Sequence, residues 1–187
     1  IDFWFKSDMN KTILLLEFDP STYGDLLTEL SKYKKNILIY NRRKPAIWNM
    51  SSIKTLHKTK SKLFNFKKLE FQFKKQISSL TNNYLNELEK VWQNKDIENF
   101  FQIESSSFWY CIKDELLNVY RRRLSEYISL LLISKNLLEK IDVSCILSSN
   151  LVGETEKSVL SMNNQKIHSI MLEHGYSNYV PEISRYD

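Results

Sequence analysis

The chain has 187 residues, 42% of them hydrophobic and 26% charged, with a formal net charge of +5. That length supports a domain with its own core, and that balance excludes a disordered or collagen-like chain. Three glycines and three prolines are too few for an all-β fold built on many tight turns.

No run approaches the ~18 apolar residues of a membrane-spanning helix, and no secretory leader pattern opens the chain. The expected location is therefore the cytoplasm. Cys111 and Cys145 lie in apolar settings and read as buried free thiols rather than a disulfide framework. Ile1 stands where a methionine would begin a chain, and Asp187 follows closely on the best site candidate. The sequence is expected to be a piece of a larger protein. Charge is unevenly spread. From Lys34 to Lys75 there are thirteen Lys and Arg against one acid, Glu70. The remainder is net acidic, and the basic stretch implies an anionic partner or simply a solvated basic surface.

Thr12–Phe18 (TILLLEF) is a continuous apolar run suited to a strand buried on both faces. Asp19 and Pro20 end it, and Ser21 caps a helix predicted from about Thr22 to Tyr33, with Leu26, Leu27 and Leu30 on its apolar face. Asn36–Tyr40 (NILIY) is the second strand, followed by the basic loop Asn41-Arg42-Arg43-Lys44-Pro45. A short helix is expected over Ala46–Leu56, anchored by Trp48 and Ile53.

Phe66, Leu69, Phe73, Ile77, Leu80, Tyr84, Leu88 and Val91 recur at steps of three and four, the stripe of a helix about seven turns long. Phe64 and Phe71 fall off that stripe among lysines. A short helix or turn is expected over Lys95–Gln102. Ser105-Ser106-Ser107 then caps a second long helix whose stripe is Trp109, Ile112, Leu116, Tyr120, Leu124, Tyr127, Leu131 and Leu138. The two long helices read as an antiparallel pair inserted at about residues 62–140.

The chain ends in a β-α-β pattern: an apolar run at Ser144–Leu147, turn residues Ser148-Ser149-Asn150, a helix from Gly153 to Met162, and an apolar run at Ile167–Leu172. The fold class predicted is α/β, a Rossmann-like parallel sheet of about four strands with a two-helix insertion, in one domain spanning residues 1–187.

No P-loop, dinucleotide fingerprint or nucleophile elbow is present. His57, His168 and His174 lack the spacing of a zinc site. In a parallel sheet the polar residues beyond the strand ends share one edge, where ligands bind. They are Asp19, as helix cap or carboxylate catalyst; Arg42 and Arg43, as substrate-binding cations; and Asn150 and Glu154. Glu173, His174 and Gly175 complete the set. His174 directly follows a strand and could act as base or hydrogen-bond donor, or tie the loop to the core. Glu173 could be the base or orient His174, and Gly175 permits close backbone approach.

The segment D-V-x-C-I-L-x-x-N … E-x-E … N-N-Q-K-I-H-S-I-M-L-E-H-G-Y-S-N-Y-V-P, the last 45 or so residues, resembles the end of the N-terminal half of GT-B glycosyltransferases. Within that group it is most similar to those of surface-polysaccharide assembly, the Kdo-transferase-like and CDP-glycerol glycerophosphotransferase-like groups. There a strand delivers Gln-His-Gly or Trp-His-Gly into the interdomain cleft. Here the tripeptide is Glu173-His174-Gly175 and departs at its first position. The resemblance implies the acceptor-side half of a two-domain enzyme that uses a nucleotide-sugar donor, needs no metal or other cofactor, and takes a glycan or lipid-linked acceptor. It also implies that His174 faces the donor phosphate or the acceptor, and that the Lys34–Lys75 segment, with Phe64 and Phe71, touches anionic lipid.

Two other readings use the same residues. One is a nucleic-acid-binding module working through the basic segment, although its aromatics fall mostly on the helix stripe rather than on a stacking platform. The other is a non-catalytic interaction domain that docks through its helical pair.

Overall fold

The computed structural model describes residues 11–150 and 153–172. These described residues form two compact units: residues 11–66 with 134–150 and 153–172, and residues 67–133.

The first unit is built on a sheet. Strand β1 (Thr12–Leu16) is buried along its whole length, as its unbroken apolar run requires. Helix α1 (Gly24–Leu30) leads to β2 (Asn36–Tyr40), and α2 (Met50–Thr59) leads to β3 (Lys62–Leu63). After the helical unit the chain returns as β6 (Val143–Ser148), α6 (Glu154–Ser161) and β7 (Ser169–Met171). The strands lie in the order β3-β2-β1-β6-β7. Every neighbouring pair is parallel. The fold is therefore α/β with a five-stranded parallel sheet of Rossmann-like character.

Side chains alternate across each strand. Ile13, Leu15, Ile37, Ile39 and Leu147 share one face and pack with Phe18, Leu27 of α1 and Leu56 of α2. Leu14, Leu16, Leu38, Tyr40 and Ile146 alternate to the other face and are also buried. Burial on both faces explains why β1 and β2 read as solid apolar runs rather than alternating ones.

The second unit holds most of two long helices. Helix α3 spans Phe66–Trp92 and α5 spans Trp109–Lys140. Between them lie the short helix α4 (Lys95–Phe100) and a two-strand ribbon, β4 (Gln102–Ile103) paired antiparallel with β5 (Ser106–Ser107). The long helices run antiparallel: Ser129 of α5 donates to Glu70 near the start of α3. At the opposite end, Trp92 packs edge-on against Trp109 at 5.6 Å and Tyr120 at 5.5 Å. Among the described residues no helix is long and apolar enough to cross a membrane.

Several expectations are corrected. The sheet has a fifth strand, β3, whose two residues pair with Leu38 and Ile39. Two residues are too few to show a period, and they merge into the pattern of α3. Phe64 is not a surface aromatic among lysines, because its ring meets Tyr40 at 4.8 Å. β7 is an exposed edge strand, not a buried one. Cys111 is exposed and Cys145 half-buried.

On α3 the buried line is Leu69, Ile77, Thr81 and Trp92, while Tyr84 and Val91 are exposed. Leu69 and Ile77 lie on the expected stripe, while Thr81 and Trp92 each lie one residue beyond its Leu80 and Val91. On α5, Tyr120 and Tyr127 are likewise exposed, and Ile128, Ile133 and Leu137 are buried. Helix α2 starts at Met50 because Asn49 caps it, its side chain accepting from Ser52 N at 2.9 Å. Trp48 and Ile53, expected as its anchors, are exposed.

Candidate functional site at the carboxyl edge of the sheet

The strand order places the site. From β1 the chain moves outward to β2 and β3 on one side, while β6 and β7 lie on the other. The order therefore reverses between β1 and β6. In open parallel sheets the crevice beyond the carboxyl ends at such a point is where ligands bind.

Glu17 closes β1 in the left-handed region, at φ 59°. A non-glycine residue held there is strained, which turns its side chain out of the strand's alternation. The carboxylate is almost fully buried and its Oε1 accepts from three donors: Arg42 N at 2.9 Å, Arg43 N at 3.2 Å and Thr155 Oγ1 at 2.7 Å. One side chain thus pins the loop after β2 and the first turn of α6 to the end of β1.

Arg43 joins the same group. Its guanidinium lies 2.7 Å from Glu156 Oε1 and 3.9 Å from Glu17 Oε1. Glu156 is completely buried, and its Oε2 has no hydrogen-bond partner among the described residues. Burial raises its carboxyl above the ordinary range, and nearby Arg43 pulls it back only in part. Gly153, the residue before α6, makes room for it. A Cβ there would sit 2.0 Å from Glu156 Oε2. The glycine is required by space, since its φ of −70° suits any residue. Arg42 reaches Glu154 Oε2 at 3.7 Å, beside the same turn.

Asp19 organises the turn after β1. Its carboxylate accepts from Ser21 N at 2.8 Å, Ser21 Oγ at 2.7 Å and Thr22 Oγ1 at 3.2 Å. Partial burial works against its ionisation, but the bonds from Ser21 and Thr22 outweigh this and hold the carboxyl below its usual value. The cap of this turn is Asp19, not Ser21, and α1 begins two residues later than predicted. Tyr23 hydrogen-bonds Ser149 beyond β6, tying the β1 and β6 ends together; burial and the charge of Asp19 raise its phenol. In the β6 loop, Asn150 N donates to Ser148 Oγ at 3.1 Å, and the Ser148 hydroxyl donates back to the Asn150 carbonyl.

The structure thus brings Asp19, Arg42, Arg43, Asn150 and Glu154 to one edge of the sheet. Glu173, His174 and Gly175 lie outside the described residues. The last described residue before them, Leu172, donates from its N–H to Ser148 O at 2.8 Å, at that same edge. Sequence reasoning missed Glu17, Thr155 and Glu156. The signal for Glu17 was a single carboxylate near the end of an otherwise apolar strand run.

Among the described residues no group of His, Cys, Asp and Glu is placed to hold a metal ion. Carboxylates, guanidinium groups and hydroxyls share the edge, which therefore holds both hydrogen-bond donors and acceptors. A separate groove of about 600 Å³ lies between α3 and α5 in the helical unit; its walls include Lys67, Glu70, Phe71 and Ile77. No protein-family model, curated protein or solved structure matches the chain.

Proposed function

We propose that this chain is the acceptor-side domain of a nucleotide-sugar-dependent glycosyltransferase of the GT-B type, acting in polysaccharide or glycoconjugate assembly. The observation that carries the reading is the shared edge. Parallel strands bring Asp19, Arg42, Asn150 and Glu154 together beyond the reversal in strand order. Carboxylates there accept from sugar hydroxyls, and Arg42 donates to ring or phosphate oxygens. The resemblance of the final segment supplies the remaining part, His174 as base or donor toward the transferred group.

Such a site stabilises the leaving nucleotide through fixed donors rather than through a metal. The acceptor hydroxyl gives its proton to a base, His174 or Glu173, as its oxygen forms the new bond to the sugar's anomeric carbon. The bond from that carbon to the nucleotide phosphate breaks, and the nucleotide leaves with the electron pair.

The test is sugar transfer from nucleotide-sugar donors to glycan acceptors by the protein that carries this chain. His174→Ala is expected to lower turnover about 10²-fold or more. Asp19→Asn keeps the turn's acceptor oxygen but removes the charge, and is expected to raise KM for the acceptor with the fold intact. Turnover in His174→Ala at the unsubstituted rate would remove His174 from the mechanism.

A further inference from the structure

The loop after β2 and the first turns of α2 carry an inverted distribution of polarity. Helix α2 buries Ser52 at 0% exposure and Thr59 at 5%. The apolar side chains go the other way: Ile47 is 46% exposed, Trp48 56%, Met50 65% and Ile53 44%. Scattered surface apolar residues are ordinary, but four within seven positions form a patch. The helix's own packing explains Ser52, whose N–H and hydroxyl both go to the Asn49 side chain. It does not explain why tryptophan, isoleucine and methionine face outward.

The charge around the patch selects its occupant. Lys44 and Lys54 flank it, and no Asp or Glu occurs between Asn41 and Leu69. A protein interface pairs charges of both signs in a fixed pattern. A segment of one sign over so long a stretch, with Asp25 and Glu29 confined to neighbouring α1, fits an extended anionic plane. Tryptophan is also the side chain most at home at headgroup depth, where its ring is partly apolar and its N–H stays wet.

We propose that the Ile47–Ile53 segment seats on an anionic lipid surface, with Trp48, Met50 and Ile53 entering the headgroup boundary and Lys44 and Lys54 contacting lipid phosphates. The segment is joined to the end of β2 by the short loop of residues 41–46, so seating it brings the carboxyl edge of the sheet toward the lipid. The proposal stands without the sugar-transfer reading, since it requires no sugar and no catalysis.

The experiment is co-sedimentation of the full chain with vesicles of phosphatidylcholine, with and without phosphatidylglycerol. Binding is expected only with phosphatidylglycerol present, and it should weaken as salt rises. Lys44→Gln with Lys54→Gln is expected to weaken it about 25-fold, at roughly fivefold per charge. Trp48→Ala and, separately, Ile53→Ser are each expected to weaken it at least ~10-fold while leaving circular dichroism and Tm unchanged, because both side chains are exposed. If either of these variants fails to fold, Met50→Ser provides the same test. No sedimentation with phosphatidylglycerol vesicles would overturn the proposal and leave an acidic protein as the occupant. Equal binding to neutral vesicles, or wild-type binding by all the folded variants, would overturn it as well.

Discussion

Replacing Glu17 with alanine is expected to destabilise the fold by about 3 kcal/mol, which for a chain of this size lowers Tm by roughly 10 °C. The side chain is almost fully buried and accepts from two backbone N–H groups and one hydroxyl. Alanine leaves those donors buried without an acceptor, and each costs about 1–3 kcal/mol to desolvate unless water reaches it. The exposed half of Arg43 can rehydrate, so the loss falls short of that for a fully buried ion pair.

The backbone supplies an internal control. Glu17 holds φ at 59°, and an L-residue there costs about 1–2 kcal/mol relative to glycine. Glu17→Gly should therefore be about 1 kcal/mol more stable than Glu17→Ala in urea unfolding. Glu17→Gln, which keeps one acceptor oxygen, should fall between alanine and wild type. If alanine proves neutral, the carboxylate is not what holds the loop after β2 and the first turn of α6 to the end of β1.

Gly153→Ala is expected to cost about 2 kcal/mol, through one contact. The added methyl would lie 2.0 Å from Glu156 Oε2 and 2.6 Å from its Cδ. The carboxylate must move, and its 2.7 Å bond to Arg43 then breaks. Because the clash is with Glu156, the cost should nearly vanish in a Glu156→Ala background. A double-mutant cycle thus separates this cause from a general intolerance of the loop.

Glu156 also makes a pH prediction. Its folded pKa is raised by burial. Between its unfolded and folded values the native state holds the extra proton, so stability falls as pH rises through that window. Below the unfolded value the penalty is absent, and above the folded value it is complete. Glu156→Gln should remove this slope and cost little at neutral pH. An unchanged slope in the glutamine variant would place the pH dependence elsewhere.

Much of this architecture is legible in the sequence because its signals are local. TILLLEF and NILIY could hardly be anything but buried strands, and the long helices announce themselves by period. The alternation of strand and helix implies the parallel sheet. What the sequence hides is set by tertiary context. β3 has two residues and no period, and it forms because Leu38 and Ile39 offer an open edge. Trp48 and Ile53 look like core anchors by composition. The helix phase set by the Asn49 cap instead turns Ser52, Leu56 and Thr59 inward.

The site divides in the same way. Asp19, Arg42, Arg43, Asn150 and Glu154 are visible as polar residues beyond strand ends. Glu17 shows only as a lone carboxylate in an apolar run, and the roles of Glu17 and Glu156 are hidden, because they arise from donors 25 and more residues away, on Arg42, Arg43 and Thr155. A carboxylate that ends a buried strand carries no mark in sequence of what it will accept from.

Sugar binding at the carboxyl edge of this sheet is tested most directly by titrating the isotope-labelled chain with a panel of nucleotide sugars and oligosaccharides while following backbone amide resonances. The expected result is that at least one of these ligands shifts Asp19, Arg42, Arg43, Asn150 and Glu154 together. Lys11, Lys35 and Asp142, at the opposite ends of the strands, should stay in place. Shifts confined to that opposite edge, or no shifts with any sugar at millimolar concentration, would contradict the account.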